Sequence, residues 1–294
     1  MKIRLMLLLL ALVACSCSKK VQINIPDEGN KPVMNVLMTN DSLIAVQILM
    51  SKYIDAKPGN VSSGGWQTLD NAKVMLYEND VYMGNMVVLK RGDFAYYLLS
   101  VKATSGSRYR VTAEIPGFPM IEGEDFIPRT ASLGEMSVKK ISGNQRESKA
   151  NVSFELHDKG GERNYYRIRI YEHLNWNDGG SDKALLQLPI QSSDPSDVIF
   201  GKKERQEIFI DDQLFDGRSP RFSFIATSWQ GFKKPVEIEV TTLTYNSYNY
   251  LYSSMMAEEK NDNILSEKVI VFNNILHGLG IVGGMSIDRH TVEY

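Results

Sequence analysis

The chain has 294 residues, with 33 Lys and Arg against 35 Asp and Glu, a formal net charge of −2 and 43% apolar residues. Both signs of charge are interspersed without a Lys/Arg cluster, which excludes the basic face that nucleic-acid binding requires. Both cysteines, Cys15 and Cys17, precede residue 18, so the body of the chain has no disulfide, thiol nucleophile or cysteine metal ligand.

The first residues have the pattern of a bacterial lipoprotein signal peptide. A basic start precedes an apolar run, Leu5 to Val13, that is too short to cross about 30 Å of hydrocarbon. The run ends in Leu12-Val13-Ala14-Cys15, a small-residue cleavage site that closes on a cysteine. The pattern predicts a signal peptide over 1–14, a lipid on Cys15 and a lipidated tether over 15–31. Cys17 is the alternative acylation site.

Short β-type runs begin after the tether, and in the clearest of them apolar side chains alternate with polar ones. The predicted strands are Val33–Met38, Ile44–Met50, Lys73–Tyr77, Met86–Leu89, Phe94–Leu99 and Tyr109–Ile115. Closely spaced short strands with turn residues between them predict a β-sandwich of immunoglobulin-like or transthyretin-like type over residues 32–128. Arg91-Gly92-Asp93 copies an adhesion tripeptide, but its place between two strands predicts a hairpin turn.

Prolines interrupt the strand pattern before residue 129, and a second β-rich, sandwich-like domain is predicted over 129–294. Its predicted strands are Asn151–Leu156, Tyr165–Tyr171, Glu207–Ile210, Arg221–Ala226, Val236–Val240 and Lys268–Phe272. Tyr and Met residues then recur at three- and four-residue spacing from Tyr245, which predicts one amphipathic helix at about 246–260 with this face in the core. Glycines from Gly278 to Gly284 indicate tight turns or close backbone approach. The fold class is mostly all-β.

Several strings together resemble a family of Bacteroidota outer-membrane lipoproteins that carries a domain-of-unknown-function label. They are Val21–Pro26 shortly after the cysteine, Asn164–Tyr171, Asp211–Gly217, Tyr248–Leu251 and Asn274–Gly284. Members often occur beside TonB-dependent receptors, so the resemblance implies an outer-membrane accessory to uptake. Surface-exported members often carry acidic residues after the acylated cysteine, whereas Ser18-Lys19-Lys20 follow here, so the surface and periplasmic faces both stay open.

Two tryptophans in polar loops are the candidate ligand contacts. Trp66 follows two glycines, and Trp176 lies in the oxygen-rich loop Asn175–Asp182. An indole offers apolar area and an N–H donor, so each ring suits stacking on a sugar or flat ligand; the alternative is that each packs back on its own domain. The Asn175–Asp182 loop lacks the terminal acid of a calcium loop and is typical of a hairpin tip.

Catalytic and cofactor patterns are absent from the sequence. The four histidines have no metal-ligand spacing, and no nucleophile elbow is present. Asp211, Asp212 and Asp216 are interpreted as a solvated turn. The sequence predicts a non-catalytic lipoprotein without cofactor or metal that binds a small molecule, a glycan or a TonB-dependent receptor. The alternative is a structural or adhesive surface protein.

Overall fold

The computed structural model describes residues 29–51, 67–143, 147–174, 184–194, 203–229, 231–232, 235–260 and 267–293. The predicted signal peptide, Cys15, the tether up to residue 28, Trp66 and Trp176 lie outside these ranges. In the described part of the chain, no helix is long and apolar enough to cross a bilayer.

The described residues form strands and one α-helix near the C-terminus, which confirms the predicted mostly all-β fold class. The strands of the first half are β1 (Pro32–Thr39), β2 (Leu43–Met50), β3 (Gln67–Thr68), β4 (Lys73–Glu78), β5 (Val81–Asn85), β6 (Val87–Arg91), β7 (Phe94–Lys102), β8 (Arg108–Glu114) and β9 (Ile121–Phe126). The later elements are β10 (Ser132–Gly143), β11 (Ser148–His157), β12 (Tyr165–Leu174), β13 (Ala184–Leu188), β14 (Ile190–Ser192), β15 (Ile208–Asp211), β16 (Arg221–Ser228), β17 (Val236–Leu243), α1 (Tyr245–Lys260) and β18 (Leu279–Val292).

Among the described residues, one large sheet runs through the whole molecule in the order β13-β12-β17-β18-β1-β2-β7-β6, with β15 beside β12 and β3 beside β2. Two four-stranded sheets, β5-β4-β8-β9 and β10-β11-β16-β14, accompany it. Alternate residues of each strand point to opposite faces of a sheet, so one face of the large sheet supplies the apolar side chains of both cores.

The first core lies between the large sheet and β5-β4-β8-β9. Met34, Ile48 and Tyr97 of the large sheet pack there with Val111 of the small one. The second core pairs Ile168 and Ile238 of the large sheet with Phe154 and Phe224 of the β10-β11-β16-β14 sheet. The fold therefore has two sandwich-like halves that share one sheet.

Strand β18 connects the two halves. It pairs with β1 in parallel and with β17 in antiparallel register, and its Val282 belongs to the first core. The shared sheet thus crosses residue 128, and the predicted division into domains at that residue stays a prediction. Gly278 lies in the bend before β18, whereas Gly280 and Gly284 lie within the strand, where β1 and the end of β9 approach their backbone closely.

Two further predictions need correction. Lys268–Phe272 is not a strand, since its residues belong to no sheet and Ile270 is 90% exposed. Helix α1 is confirmed, but its aromatic face is not a core face, because Tyr245 is 58% exposed and Tyr252 40%. These rings lie instead against aromatic side chains on the outer face of the large sheet.

Candidate functional site

A cleft of about 870 Å³ lies between the two halves of the fold. Its floor is the connection from β9 to β10, at residues 126–132. One wall is the loop between β11 and β12 with the strand ends beside it, within 157–166, and the other is the junction of β17 with α1 at 242–245. This volume is in the range of small-molecule sites, which are concave and occur preferentially where two folding units meet.

The aromatic wall of the cleft begins at Tyr165, the first residue of β12. Its ring centroid lies 4.8 Å from Tyr248 and 5.9 Å from Tyr245, and both partners belong to α1. Tyr245 lines the cleft and is 58% exposed. Burial raises the pKa of Tyr165, so its hydroxyl stays protonated at neutral pH and remains a hydrogen-bond donor. A half-apolar wall with hydroxyl donors suits a sugar ring or a similar ligand.

The charged side chains of the cleft are mostly paired with one another. Lys159 Nζ lies 2.7 Å from Glu162 Oε1, and Arg163 donates to Asp211 at 2.8 Å. The hydrogen bond to Asp211 raises the pKa of Arg163 further above its ordinary value. Arg129 on the floor of the cleft is exposed and forms no ion pair with a described residue, so the cleft offers a ligand one cationic side chain beside its tyrosine hydroxyls.

Three carboxylates meet beside the cleft. Oxygens of Asp158, Asp212 and Asp216 lie within 4.8 Å of one another, a distance that would suit a hard cation. Each, however, already accepts hydrogen bonds. Asp212 accepts a hydrogen bond from the backbone N–H of Asn164 at 2.8 Å, and Asp216 accepts one from that of Gly161 at 2.8 Å. Asp158 accepts one from the Tyr166 hydroxyl at 2.6 Å. Their evident role is to bind two loops together.

The interpretation of these residues as a solvated turn is wrong for Asp212. Its side chain is 2% exposed, and desolvation raises its pKa above the ordinary value. Asp211 caps the short 3₁₀ turn that follows by accepting the backbone N–H of Gln213 at 3.1 Å. Asp212 is buried because Asn164 supplies donors from the cleft wall, a contact across 48 residues that no local pattern predicts.

Asp125 of β9 anchors the floor of the cleft. It is 6% exposed, and its carboxylate accepts the Thr244 hydroxyl at 2.5 Å, the backbone N–H of Gly284 at 3.0 Å and that of Phe126 at 2.9 Å. Desolvation raises its pKa to about 6, and these donors limit the shift. Thr244 also accepts the backbone N–H of Ser247 at 3.2 Å and so begins α1.

The absence of a side chain at Gly284 allows the end of β9 to lie close against β18. A Cβ built on Gly284 would overlap the main-chain oxygen of Phe126, so any side chain would push β9 away from β18. Asp125, Thr244 and Gly284 together fix the floor of the cleft to α1 and to the shared sheet. The sequence predicted close backbone approach near Gly284, but it did not single out Asp125 or Thr244.

A match over nearly the whole chain shows the family. A family model described as "Domain of unknown function (DUF4249)" matches residues 18–291. The chain belongs to this family. The DUF4249 match covers both halves of the fold and the cleft between them. No curated protein matches the chain.

Similar solved structures are bacterial alpha-2-macroglobulins. A mutant Salmonella alpha-2-macroglobulin is 14% identical, with 92% of this chain and 15% of that chain covered and a TM-score of 0.23. Native Escherichia coli alpha-2-macroglobulin is 13% identical over 75% of this chain and 13% of that chain, also with a TM-score of 0.23. The DUF4249 chain thus spans a small fraction of these proteins, and likeness at this TM-score carries no argument about fold or function.

Proposed function

We propose that this protein is a lipid-anchored outer-membrane lipoprotein of Bacteroidota, and a non-catalytic accessory to TonB-dependent nutrient uptake that binds a ligand or the receptor. The observation that carries the anchor is Leu12-Val13-Ala14-Cys15 at the end of a short apolar run. Two or three acyl chains on one cysteine hold a protein stably at a membrane without any spanning helix.

The ligand-binding part of the proposal is supported by the cleft. It offers Tyr165 and Tyr245 as an aromatic wall, and it lies where the shared sheet, β9 and α1 meet. Lys159 is paired with Glu162 and Arg163 with Asp211, so these wall charges are held by one another, which favours binding over turnover. Hydrolysis of a glycan or peptide that disappears when one acidic residue is replaced would overturn the non-catalytic assignment.

The receptor is tested by a pull-down. The tagged, full-length protein is purified from mildly solubilised envelopes of its native host, and the co-purifying proteins are identified by mass spectrometry. We expect a TonB-dependent receptor to co-purify with the wild-type protein and to be lost with the unanchored Cys15→Ser variant. Recovery of no transport protein would count against the proposal and favour a structural or adhesive surface protein.

The cleft is tested by titrating soluble glycans against the purified protein in a calorimeter. We expect Tyr245→Ala to weaken binding because this ring is the exposed part of the aromatic wall. Tyr82→Ala is the matched control, since Tyr82 is 51% exposed but does not line the cleft. Equal affinities for the two variants would remove the cleft from the proposal.

A further inference from the structure

The segment Val81–Arg91 forms an open edge of two sheets at once. Among the described residues, β5 pairs only with β4, and β6 pairs only with β7. Met86 lies between β5 and β6 and is 6% exposed, so the chain passes from the small sheet to the large one at this residue. The first half of the fold therefore ends in one continuous edge, which we call the β5–β6 edge.

This edge is apolar and exposed. Six side chains are between 37% and 70% exposed: Val81, Tyr82, Met83, Val87, Val88 and Leu89. An unpaired strand edge presents free backbone donors and acceptors to another chain, and soluble proteins usually blunt such edges with charges or prolines. Here the charges, Lys90 and Arg91, come only at the end of β6. An exposed apolar patch of this kind is typical of an interaction surface.

The backbone of β6 has groups available for pairing. Gly92 and Asp93 form a two-residue turn, with Gly92 at φ +61°, which confirms the predicted hairpin and places Arg91 opposite Phe94. In an antiparallel pair, hydrogen-bonded and non-hydrogen-bonded positions alternate. The closing pair of such a hairpin is hydrogen-bonded, so the N–H and C=O groups of Val88 and Lys90 point away from β7.

The charged side chains of β6 indicate which residues a pairing strand would carry. Lys90 forms an ion pair with Asp70, whereas Arg91 is exposed and forms no ion pair with any described residue. Because side chains alternate, Val87, Leu89 and Arg91 share one face of the sheet. A pairing strand thus meets two apolar positions and then one cationic position along β6.

A groove continues this face of the sheet. It has a volume of about 800 Å³ and is lined by Phe94 and Tyr96 of β7 and by Tyr250 and Phe272 from the other side. Phe94 lies opposite Arg91 and Tyr96 opposite Leu89 in the β6–β7 ladder. Apolar side chains of a strand added to β6 would therefore lie beside this groove and extend its apolar surface.

We propose that β6, within the β5–β6 edge, is completed by an antiparallel strand from a partner protein. That strand carries an acidic residue opposite Arg91 and aliphatic or β-branched residues opposite Leu89 and Val87. From its N-terminus it reads acidic, any, apolar, any, apolar. This inference rests on the proposed function, since it names the surface through which an accessory protein binds its partner.

The test uses the purified, full-length protein in detergent and a fluorescein-labelled synthetic peptide containing Glu-Thr-Val-Thr-Val. We expect saturable binding by fluorescence anisotropy. Val88→Pro removes an outward N–H and is expected to weaken binding about tenfold. Val88→Thr is the matched control, because it keeps both the branched shape and the N–H, and it is expected to bind as the wild type does.

Exchanging the charges at position 91 and on the peptide gives a second test that does not use a proline substitution. Arg91→Glu is expected to weaken binding of the Glu peptide about fivefold and to bind a Lys-Thr-Val-Thr-Val peptide better than the wild type does. Circular dichroism checks that each variant is folded. Absence of peptide binding, or binding that neither Val88→Pro nor Arg91→Glu alters, would overturn the inference.

Sedimentation of the protein alone tests whether a second copy of this chain occupies the edge. A dimer that Val88→Pro converts to a monomer would assign the edge to a second copy of this chain and overturn the hetero-partner inference. The envelope pull-down separates this failure from that of the proposed function. If Val88→Pro still recovers the receptor, the β5–β6 edge is not the binding surface, but the proposed function stands. If the peptide binds and no receptor is recovered, the edge stands as a strand-binding surface, but the proposed function fails.

Discussion

At the residue scale, Asp125 shows how distant parts of the chain determine one side chain. Its partners Thr244 and Gly284 lie 119 and 159 residues away in the sequence. No local pattern distinguishes Asp125 from the other acidic residues, so sequence reasoning could not select it. The glycine pair at 283–284 was the available signal, because it predicts close backbone approach but not the partner that approaches.

Asp125 predicts a pH dependence of stability. Its pKa is raised in the folded state from 3.8 to about 6, so folding favours the protonated form. The free energy of unfolding that this group contributes therefore rises as the pH falls from 7 toward 4, by about 2.5 kcal/mol. Denaturant unfolding of the wild type and Asp125→Asn at pH 4.5, 5.5 and 7 isolates this contribution. Parallel pH profiles for the two proteins would contradict it.

At the scale of elements, the outer face of the shared sheet carries a charged ladder across β12, β17 and β18. Glu239 is fully buried and accepts hydrogen bonds from Arg169 and Arg289, both at 2.7 Å. Burial alone would raise the pKa of Glu239, but the two guanidinium groups lower it below its ordinary value. The period-two pattern of Val236–Val240 predicted this strand, although not what its polar face would contact.

Replacing Glu239 by Gln leaves two arginines facing a neutral side chain. We expect a loss of about 3 kcal/mol in the free energy of unfolding at pH 7. Because the folded-state pKa is lowered, the stabilisation by Glu239 is present above pH 4.5 and is lost as the pH falls below it, so the two proteins converge in acid. Glu114→Gln, which breaks an exposed ion pair with Lys73, is the control and should cost under about 1 kcal/mol.

Helix α1 is held to this face by contacts between aromatic rings and not by a buried apolar stripe. Tyr248 lies 4.8 Å from Tyr165 of β12 and 6.1 Å from Phe209 of β15, measured between ring centroids, and burial raises its pKa to about 12. The residue spacing predicted the helix correctly. It could not distinguish a core face from an aromatic face at the surface, because both require large side chains at the same spacing.

These ring contacts predict that Tyr248 matters more to α1 than Tyr245 does. Tyr248→Ala should lower the free energy of unfolding by about 2 kcal/mol and increase amide exchange across residues 245–260. Tyr245→Ala removes a ring that is 58% exposed and should have a clearly smaller effect on both. Hydrogen exchange with mass spectrometry measures the helix directly, and equal exchange in the two variants would contradict this role of Tyr248.

At the scale of the whole molecule, the sequence predicts the strands of alternating pattern and the class, but not how the halves join. The parallel pairing of β1 with β18 places residue 33 beside residue 279, and no periodicity encodes such a contact. β18 itself has a glycine-rich sequence that local propensity assigns to turns. The cleft and the β5–β6 edge are consequences of this assembly, so only the structure presents them as surfaces.

The proposed lipid anchor is the central claim, because it would place the cleft and the edge at a membrane where a receptor can be reached. Metabolic labelling with an alkyne fatty acid, followed by click detection on the purified protein, tests it directly. The account predicts label on the wild type and on the matched control Cys17→Ser, and none on Cys15→Ser. Absence of label from the wild type, or label that persists in Cys15→Ser, would contradict it.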